Sequence, residues 1–402
     1  MTLALRPYQI EGRDFLASRR FALLADEMRV GKTPQAILAA HKLGLQKILV
    51  VCPAIAVQHW DREFVKWYDM AGTAMLPLTT VLSYDKAKLL AAELTARRWD
   101  LVIVDECHYA KNPDTQRTKL IYGKNGLGWH TDRMWALSGT PATKHAGELW
   151  AMLYAFGVVG MNYGEFLRRY CIMQPFTLKV IGTKPAMVPE LRALLAQVML
   201  RRTRRQVAPE MPAIGFEFLP VTIDKDLPPP GVDYEALTSD DFTPEVRQAV
   251  ALAKVPQLAD EIAFAIANGL LQQTVVFGYH RTPLHAMFDQ LTRRGIHSAT
   301  ITGETPAGQR QFVQDEFRAG RLEVVLGNII AAGTAIDLSS ASHGYFLELD
   351  WLPANNAQAA NRLVSMDKAE SVTFDVVTMP GSVDDKINRI LLRRSAELCK
   401  LL

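Results

Sequence analysis

The sequence predicts an α/β protein of two domains, each built on a mostly parallel sheet with helices on both faces. At 402 residues, the chain is longer than one hydrophobic core usually supports. Short aliphatic and β-branched runs alternate with helix-length segments, which is typical of parallel strands that are buried on both faces. A proline-rich stretch interrupts this alternation and indicates a connector between two domains.

The first domain is predicted to span residues 1–223, the connector residues 224–245 and the second domain residues 246–402. The connector prediction rests on Pro228, Pro229 and Pro230, since three consecutive prolines cannot continue a helix or a central strand. The predicted strands of the first domain include Lys47–Cys52, Leu101–Val104 and Met134–Leu137, and those of the second include Thr274–Phe277, Ala299–Ile301, Val324–Leu326 and Gly344–Leu347.

Composition narrows the class of protein without fixing its function. Hydrophobic residues make up 49% of the chain and charged residues 22%, as in ordinary packed proteins. No apolar run reaches the roughly 20 residues that a membrane span needs, and the amino terminus has no signal-peptide core, so a cytoplasmic protein is expected. The four cysteines lie far apart, which predicts reduced thiols rather than a zinc site. A net charge of +3 permits nucleic-acid binding but does not argue for it.

A phosphate-binding loop is predicted between a strand-like run, Phe21–Leu24, and a helix-like run, Gln35–Ala40. In such a loop, backbone N–H groups hold phosphates, the lysine of Gly-Lys-Thr reaches the terminal phosphates and the hydroxyl holds Mg²⁺. Asp26 stands where such loops usually begin with glycine, and a Gly-Lys-Thr tripeptide alone is weak evidence for nucleotide binding. The candidate residues are Met28, Arg29, Val30, Gly31, Lys32, Thr33 and Pro34, with Thr33 also a candidate metal ligand.

Two adjacent carboxylates follow the buried run Leu101–Val104. The carboxyl ends of parallel strands are where open α/β sheets bind ligands. Asp105 is predicted to hold Mg²⁺ through water, and Glu106 is predicted to polarise the water that attacks the phosphate. The alternative is a solvated turn, which the preceding phosphate loop disfavours.

The ordered set of motifs resembles the Swi/Snf-related family of helicase superfamily two, and within it the HARP-type annealing-helicase subgroup most of all. The resemblance extends from Leu5 to the carboxyl terminus. An aspartate in place of the first loop glycine is a trait of this family. The matching segments are Leu5–Gln9 with Gly12, Ala25–Thr33, Val51–Trp60, Ser83–Asp85, Leu137–Ala142, Met199–Arg204, Val275–His280, Ile301–Gly303 with Arg310, Ala331–Leu338, Gln358–Arg362 and Gly381–Asp385.

The resemblance implies two RecA-like lobes with an ATP cleft between them, and it assigns roles to further residues. Gln9 would read the adenine edge, with Arg6 and Tyr8 beside it. Arg362 would complete the catalytic site together with Lys32, Asp105 and Glu106. Gly333 and Asp337 are further candidate nucleotide contacts. The candidate DNA contacts are Trp60, Ser83, Tyr84, His280, Gly303 and Asn328.

The implied activity is that of an ATP- and Mg²⁺-dependent translocase on double-stranded DNA, extending to the remodelling or annealing of branched DNA. A monomer that contacts no membrane, in the cytoplasm of a prokaryote or of a phage host, is expected, with any protein partner unknown. The terminal helix would act as a brace. One alternative is a nucleotide-gated DNA-binding scaffold with little turnover. An RNA helicase is a third possibility that the motifs disfavour.

Several positions depart from the family pattern. Arg29 occupies a usual glycine position in the phosphate loop. In the second domain, Ala335 replaces a glycine, Ser365 replaces an arginine, and Asp367 and Lys368 replace a Gly-Gln pair. Since an arginine at the γ-phosphate strongly accelerates phosphoryl transfer, these changes put turnover in more doubt than binding.

Two further groups have open roles. The basic cluster Arg201, Arg202, Arg204 and Arg205 is either a solvated helix end or a phosphate or interlobe contact. His108 is expected to couple the nucleotide and DNA sites, with an isolated core histidine as the alternative.

Overall fold

The computed structural model describes residues 4–72, 76–177, 179–222, 237, 241–332, 336–365, 368 and 370–401. The chain divides into two compact units. The first comprises Met1–Pro209 with Ala396–Leu402, and the second comprises Glu210–Ser395.

The first unit is built on a sheet whose described strands all pair in parallel, in the order β3-β2-β4-β5-β1-β8. A short antiparallel pair, β6 and β7, lies outside it. The strands are β1 (Phe21–Leu24), β2 (Lys47–Cys52), β3 (Leu78–Ser83), β4 (Trp99–Asp105), β5 (Thr131–Leu137), β6 (Cys171–Met173), β7 (Val180–Thr183) and β8 (Met199–Leu200).

Alternate residues of these strands pack into two hydrophobic clusters, one on each face of the sheet. Leu49 and Val51 belong to one cluster, whereas Ile48 and Val50 belong to the other. Such double burial explains why the strands read as continuous apolar runs. The flanking helices are α1 (Pro7–Ala17), α2 (Lys32–Lys42), α3 (Val57–Met70), α4 (Tyr84–Leu89), α5 (Ala91–Ala96), α6 (Gln116–Tyr122), α7 (Trp150–Ala155), α8 (Tyr163–Tyr170), α9 (Val188–Ala196) and α10 (Arg204–Val207).

The second unit has a parallel sheet of its own, in the order β11-β12-β10-β13-β14-β9 across the described strands. Phe277, Phe346 and Phe374 form an aromatic cluster on this sheet. The strands are β9 (Ile214–Pro220), β10 (Thr274–Gly278), β11 (Ser298–Ile301), β12 (Val324–Asn328), β13 (His343–Phe346) and β14 (Val372–Thr378). The helices are α11 (Pro244–Ala267), α12 (Arg281–Arg293), α13 (Ala307–Arg318), α14 (Ile329–Ala332), α15 (Pro353–Ala360) and α16 (Val383–Leu401).

The architecture of two parallel-sheet units confirms the predicted fold class, but the boundary between the units lies earlier than predicted. Strand β9 falls within the predicted first domain, residues 1–223, yet it pairs along its length with β14 of the second sheet. An extended segment can pair with any sheet that has an unpaired edge strand. The apolar pattern of the sequence does not identify which sheet that is. Most of the predicted connector, residues 224–245, lies outside the described residues.

None of the helices in the described ranges is long and apolar enough to cross a membrane. The cysteines Cys52, Cys107 and Cys171 are buried free thiols, as the spacing of the cysteines predicts.

Candidate active site

The phosphate loop lies between β1 and α2, as predicted, and two of its residues adopt left-handed backbone conformations. Gly31 has φ 78° and Arg29 has φ 67°. A β-carbon on Gly31 would lie 2.4 Å from Nε2 of Gln9, so glycine is required there by both conformation and space. At Arg29 the same backbone region is occupied by a residue with a side chain, which costs about 1–2 kcal/mol.

Lys32 begins α2, and its ammonium lies against the backbone of the preceding phosphate loop. Its Nζ donates to the backbone oxygens of Asp26 at 2.9 Å and Glu27 at 3.1 Å. Thr33 and Pro34 follow in the first turn of α2, where backbone N–H groups have no partner within the helix and attract anions. The arrangement is suited to a bound phosphate.

The carboxylate pair lies at the carboxyl end of β4. Asp105 is the last residue of the strand, and Glu106 follows it with φ 49°. Positive φ at a residue other than glycine is uncommon and is concentrated at functional sites. Asp105 accepts a hydrogen bond from the indole of Trp60, with 2.8 Å between Nε1 and Oδ2. The hydroxyl of Tyr84 donates to the backbone oxygen of Asp105 at 2.7 Å.

The electrostatics of the pair differ between its two members. Burial and the adjacent charge of Glu106 raise the pKa of Asp105 above its ordinary value. Burial also opposes ionisation of Glu106, but the hydrogen bond and charge of His108, the charge of Lys32 and the Ser138 hydroxyl together hold the pKa of Glu106 below its ordinary value. The Lys32 charge acts on both carboxylates, so the fold brings the loop and the pair together.

Glu106 is held by a side-chain network that the sequence motifs did not specify. The Ser138 hydroxyl donates to Oε2 of Glu106 at 3.2 Å, and Nδ1 of His108 lies 3.2 Å from the same oxygen. His108 Nδ1 and Ser138 Oγ are themselves 3.0 Å apart. Ser138 belongs to the Ser-Gly-Thr segment that follows β5, the strand beside β4. His108 is therefore part of the carboxylate site and not an isolated core residue.

The residues predicted to contact adenine lie at the start of α1. Gln9 Oε1 accepts from the backbone N–H of Arg6 at 2.9 Å, and Gln9 Nε2 donates to the backbone oxygen of Val30 at 3.1 Å. Tyr8 is buried, and its backbone oxygen accepts from Arg202. Met28 packs near Gly139, where an added β-carbon would lie 3.2 Å from Met28 Cγ. Gln9 is thus attached to the phosphate loop, and its contact with adenine stays a prediction.

Two predicted DNA contacts need correction. Trp60 has no exposed surface, and Tyr84 is 4% exposed, so neither side chain is available for direct contact with DNA. Both aromatic groups instead donate hydrogen bonds to Asp105, one to its carboxylate and one to its backbone. Ser83 remains partly exposed, and its hydroxyl accepts from the backbone N–H of Lys86 at 3.2 Å, which caps α4.

In the second unit, the predicted residues lie in several local environments. His280 precedes α12 and pairs with the buried Glu348, with 2.6 Å between Nδ1 and Oε1. Asn328 ends β12 and donates to the backbone oxygen of Tyr279 at 2.6 Å. Gly303 is exposed, and its backbone oxygen accepts from Arg310 at 3.2 Å. Contact with DNA at these positions stays a prediction.

The predicted catalytic and nucleotide contacts of the second unit are placed only in part. Arg362 lies in a 3₁₀ turn after α15, and its backbone oxygen accepts from Leu338 at 3.0 Å. The carboxylate of Asp337 caps the following turn by accepting from the backbone N–H of Ser339 at 3.2 Å. Gly333, Ala335 and Asp367 lie outside the described residues.

The ammonium of Lys368 is engaged by backbone oxygens of the second unit. Its Nζ donates to three backbone oxygens, those of Ser339 at 3.0 Å, Ala341 at 2.5 Å and Leu363 at 3.4 Å. Burial lowers the pKa of this ammonium. Lys368 is therefore held by the backbone, and its contacts do not show it replacing the arginine that Ser365 lacks.

The first unit joins a strand, a loop with two left-handed residues and a lysine at a helix start. It also carries a carboxylate pair at the end of β4, which β5 separates from β1 in the same sheet. This combination is typical of phosphate-loop nucleotide hydrolases. The family model of the SNF2-related domain matches residues 8–79 and 78–225, and that of the helicase conserved C-terminal domain matches residues 254–366. Because the first match covers more than half of the chain, the chain belongs to the SNF2-related family.

Curated relatives align along nearly the whole chain. The "SWI/SNF-related matrix-associated actin-dependent regulator of chromatin subfamily A-like protein 1" of Bos taurus is 28% identical over 95% of this chain and 43% of its own length. The "DNA annealing helicase and endonuclease ZRANB3" of Bos taurus is 26% identical over 97% of this chain and 40% of its own length. A homologue of the first relative from Caenorhabditis elegans is 26% identical over 95% of this chain and 59% of its own length. The chain thus spans less than two thirds of each relative.

A solved structure, "Sulfolobus solfataricus SWI2/SNF2 ATPase core in complex with dsDNA", is 19% identical and covers 99% of this chain and 93% of its own, with a TM-score of 0.44.

Proposed function

We propose that this protein is a DNA-dependent ATPase that moves along double-stranded DNA. The observation that carries the proposal is the joining, in one unit, of the Lys32 loop and the Asp105–Glu106 pair, in a chain of the SNF2-related family. A relative named for DNA annealing supports a role in annealing DNA strands, and action on branched DNA is part of this proposal. A cytoplasmic monomer from a prokaryote or phage stays a prediction, to which the animal relatives lend no support.

The donor set fits Mg²⁺. The charge of Lys32 acts on two adjacent carboxylates, and the raised pKa of Asp105 reflects its burial and then the repulsion from Glu106. Oxygen ligands are the ones Mg²⁺ prefers, and Asp105 with the Thr33 hydroxyl would hold it. When bound, the ion would neutralise charge that develops on the transferred phosphoryl group.

The remaining steps belong to the chain's own groups. Backbone N–H groups of the loop and Lys32 would hold the phosphates. The ionised Glu106 would accept a hydrogen bond from the attacking water and so orient it in line with the phosphorus. Ser138 and His108 hold the Glu106 carboxylate in place. Arg362 would stabilise charge on the phosphoryl group, a role that rests on the family motif.

The test is ATP hydrolysis measured with duplex, single-stranded and forked DNA. We expect duplex DNA to stimulate turnover, and Glu106→Gln to lower turnover by at least about 10²-fold while ATP binding stays near that of the unmodified protein. Glu93→Gln, on an exposed helix, is the matched control and should change neither. Nucleotide-dependent DNA binding without turnover would instead identify a scaffold, and stimulation by duplex RNA alone would identify an RNA helicase. Wild-type turnover in Glu106→Gln would show that the site is misassigned.

A further inference from the structure

Asp26, the residue in place of the usual first loop glycine, is a fully buried carboxylate engaged by one arginine. Nε of Arg202 donates to Oδ1 of Asp26 at 3.0 Å, and Nη2 donates to Oδ2 at 2.6 Å. One edge of the guanidinium thus meets both carboxylate oxygens in two nearly parallel hydrogen bonds, which is the strongest and most directional form of ion pair in proteins. A buried pair of this kind fixes the relative positions of the two segments that carry it.

Arg202 also holds the two helices on either side of the loop. Its Nη1 donates to the backbone oxygen of Tyr8 in α1, and its Nη2 donates to Oε1 of Gln35 in α2 at 3.0 Å. The Gln35 amide in turn donates to the backbone oxygen of Gly31 at 3.0 Å. One guanidinium therefore connects the helix that bears Gln9, the phosphate loop and the helix that bears Lys32 and Thr33.

Backbone hydrogen bonds between the Arg202 segment and the phosphate loop extend the pairing of β1 with β8. Pairing begins within the strands and extends past them, since the N–H of Ala25 donates to the oxygen of Leu200 at 2.7 Å and that of Glu27 to the oxygen of Arg202 at 3.0 Å. The carboxylate of Glu27 accepts from the backbone N–H of Arg204 at 2.8 Å. The first half of the phosphate loop is thus held by backbone hydrogen bonds to the segment that follows β8.

Gly12 makes room for this network. A β-carbon at Gly12 would lie 1.7 Å from Oε1 of Gln35 and 2.7 Å from Nη2 of Arg202. A side chain there would displace the amide that bridges Arg202 to the loop. The glycine in the first motif is therefore explained by the close approach of α1 to the arginine.

We propose that Asp26 and Arg202 are positioning residues for the triphosphate: their ion pair sets the loop geometry in which backbone N–H groups face the phosphates. The proposal rests on the ATPase function proposed above. A loop held in place before binding loses little conformational freedom when the nucleotide arrives, whereas a released loop must be ordered at the expense of affinity. The effect should therefore appear in nucleotide affinity more than in turnover at saturation.

The second unit offers a matched control. Lys254 and Asp384 form an ion pair at 2.9 Å with the lysine fully buried. The other hydrogen bonds of their side chains go to the backbone of Val377 and Met379, neither of which is assigned to the ATP site. Asp26→Asn is compared with Asp384→Asn, and Arg202→Met with Lys254→Met. All four should lower the melting temperature, since each breaks a buried pair. We expect only the Asp26 and Arg202 variants to weaken nucleotide binding and raise KM for ATP, by about tenfold, with kcat falling less than about threefold.

Three further variants keep the test decisive if a single change proves too disruptive. Arg202→Lys keeps the charge but loses the paired Nε and Nη2 hydrogen bonds to Asp26, and it should raise KM by an intermediate amount. Asp26→Gly recreates the ordinary loop glycine yet leaves Arg202 buried without its carboxylate, so it should bind ATP worse than the double variant Asp26→Gly with Arg202→Met.

The outcomes separate this proposal from the proposed function. Lys32→Ala is measured in the same nucleotide titration. If Lys32→Ala leaves binding unchanged, the ATP site itself is misassigned. If Lys32→Ala abolishes binding while Asp26→Asn and Arg202→Met behave like their second-unit controls, the site stands and the positioning role of Asp26 and Arg202 is refuted.

Discussion

Both units contain a buried strand followed by a loop and a helix, but the charge at the loop differs. In the first unit, β1 leads into the phosphate loop and α2, and the ammonium of Lys32 lies against the loop backbone. In the second unit, β10 leads through Tyr279 and His280 into α12, and the carboxylate of Glu348 accepts from both of their backbone N–H groups, at 3.0 and 2.8 Å.

The difference shows how one local geometry serves two purposes. A helix amino terminus with its preceding loop attracts an anion. In the second unit the protein itself supplies that anion, the carboxylate of Glu348, which lies two residues after β13. The imidazole of His280 also contacts this carboxylate. In the first unit the ammonium of Lys32 lies at the loop, and the loop carboxylate of Asp26 is paired with Arg202, which favours an anion that comes from a ligand. The first loop is therefore suited to phosphate and the second to structural support.

The largest effect should come from removing the second unit's internal anion. Glu348→Ala deprives two backbone N–H groups and an imidazole of their acceptor, and should lower the free energy of unfolding by about 2–4 kcal/mol. Glu348→Gln, which keeps one acceptor oxygen, should cost less. Urea denaturation measures both, and nucleotide titration should show unchanged affinity. Wild-type stability in Glu348→Ala would remove the contrast between the two loops.

A smaller effect is expected where the second unit departs from the family pattern. Ser365→Arg restores a cation that would stabilise charge on the transferred phosphoryl group, and kcat at saturating duplex DNA should rise about three- to tenfold, with little change in KM. Ser365→Lys is the control for charge without the planar guanidinium. An unchanged or lower kcat in a folded variant would mean that Arg362 already supplies all of the stabilisation, because Lys368 is committed to backbone oxygens.

The smallest effect concerns strain in the first loop. Arg29→Gly removes the cost of a left-handed residue with a side chain but adds freedom to the unfolded chain, so stability should rise by less than about 1 kcal/mol. Arg29→Ala removes the charge and keeps the strain. A gain in thermal stability with glycine but not with alanine would assign the effect to the backbone, and equal behaviour of the two variants would assign it to charge.

Much of the fold follows from the sequence because buried parallel strands have a simple pattern. β1 and β2 have the predicted bounds, Phe21–Leu24 and Lys47–Cys52, and the other predicted strands differ by a few residues at their ends. Strand β9 was assigned to the wrong unit because sheet membership depends on pairing between residues distant in sequence, Ile214–Pro220 with Val372–Thr378.

The site was predictable where a residue's neighbours in sequence fix its role. Asp105 ends a strand, Glu106 follows it, and Lys32 begins the helix after the loop that follows β1, so their places at the sheet edge follow from the strand pattern. The partners of these residues could not be predicted, because Trp60, Ser138 and Arg202 are distant in sequence from the residues that they contact. Trp60 and Tyr84 look like surface aromatics in a motif, and only packing shows that they support Asp105 from within.

The pairing of β9 with β14 determines where the second unit can be cut from the chain. A fragment that starts at residue 224 would lack β9 and leave one whole edge of β14 exposed, and a bare edge strand is a template for aggregation. A fragment that starts at Glu210 would retain the protecting strand. Solubility of the isolated unit should therefore depend on seven residues, Ile214–Pro220, that contribute no side chain to the proposed ATP site.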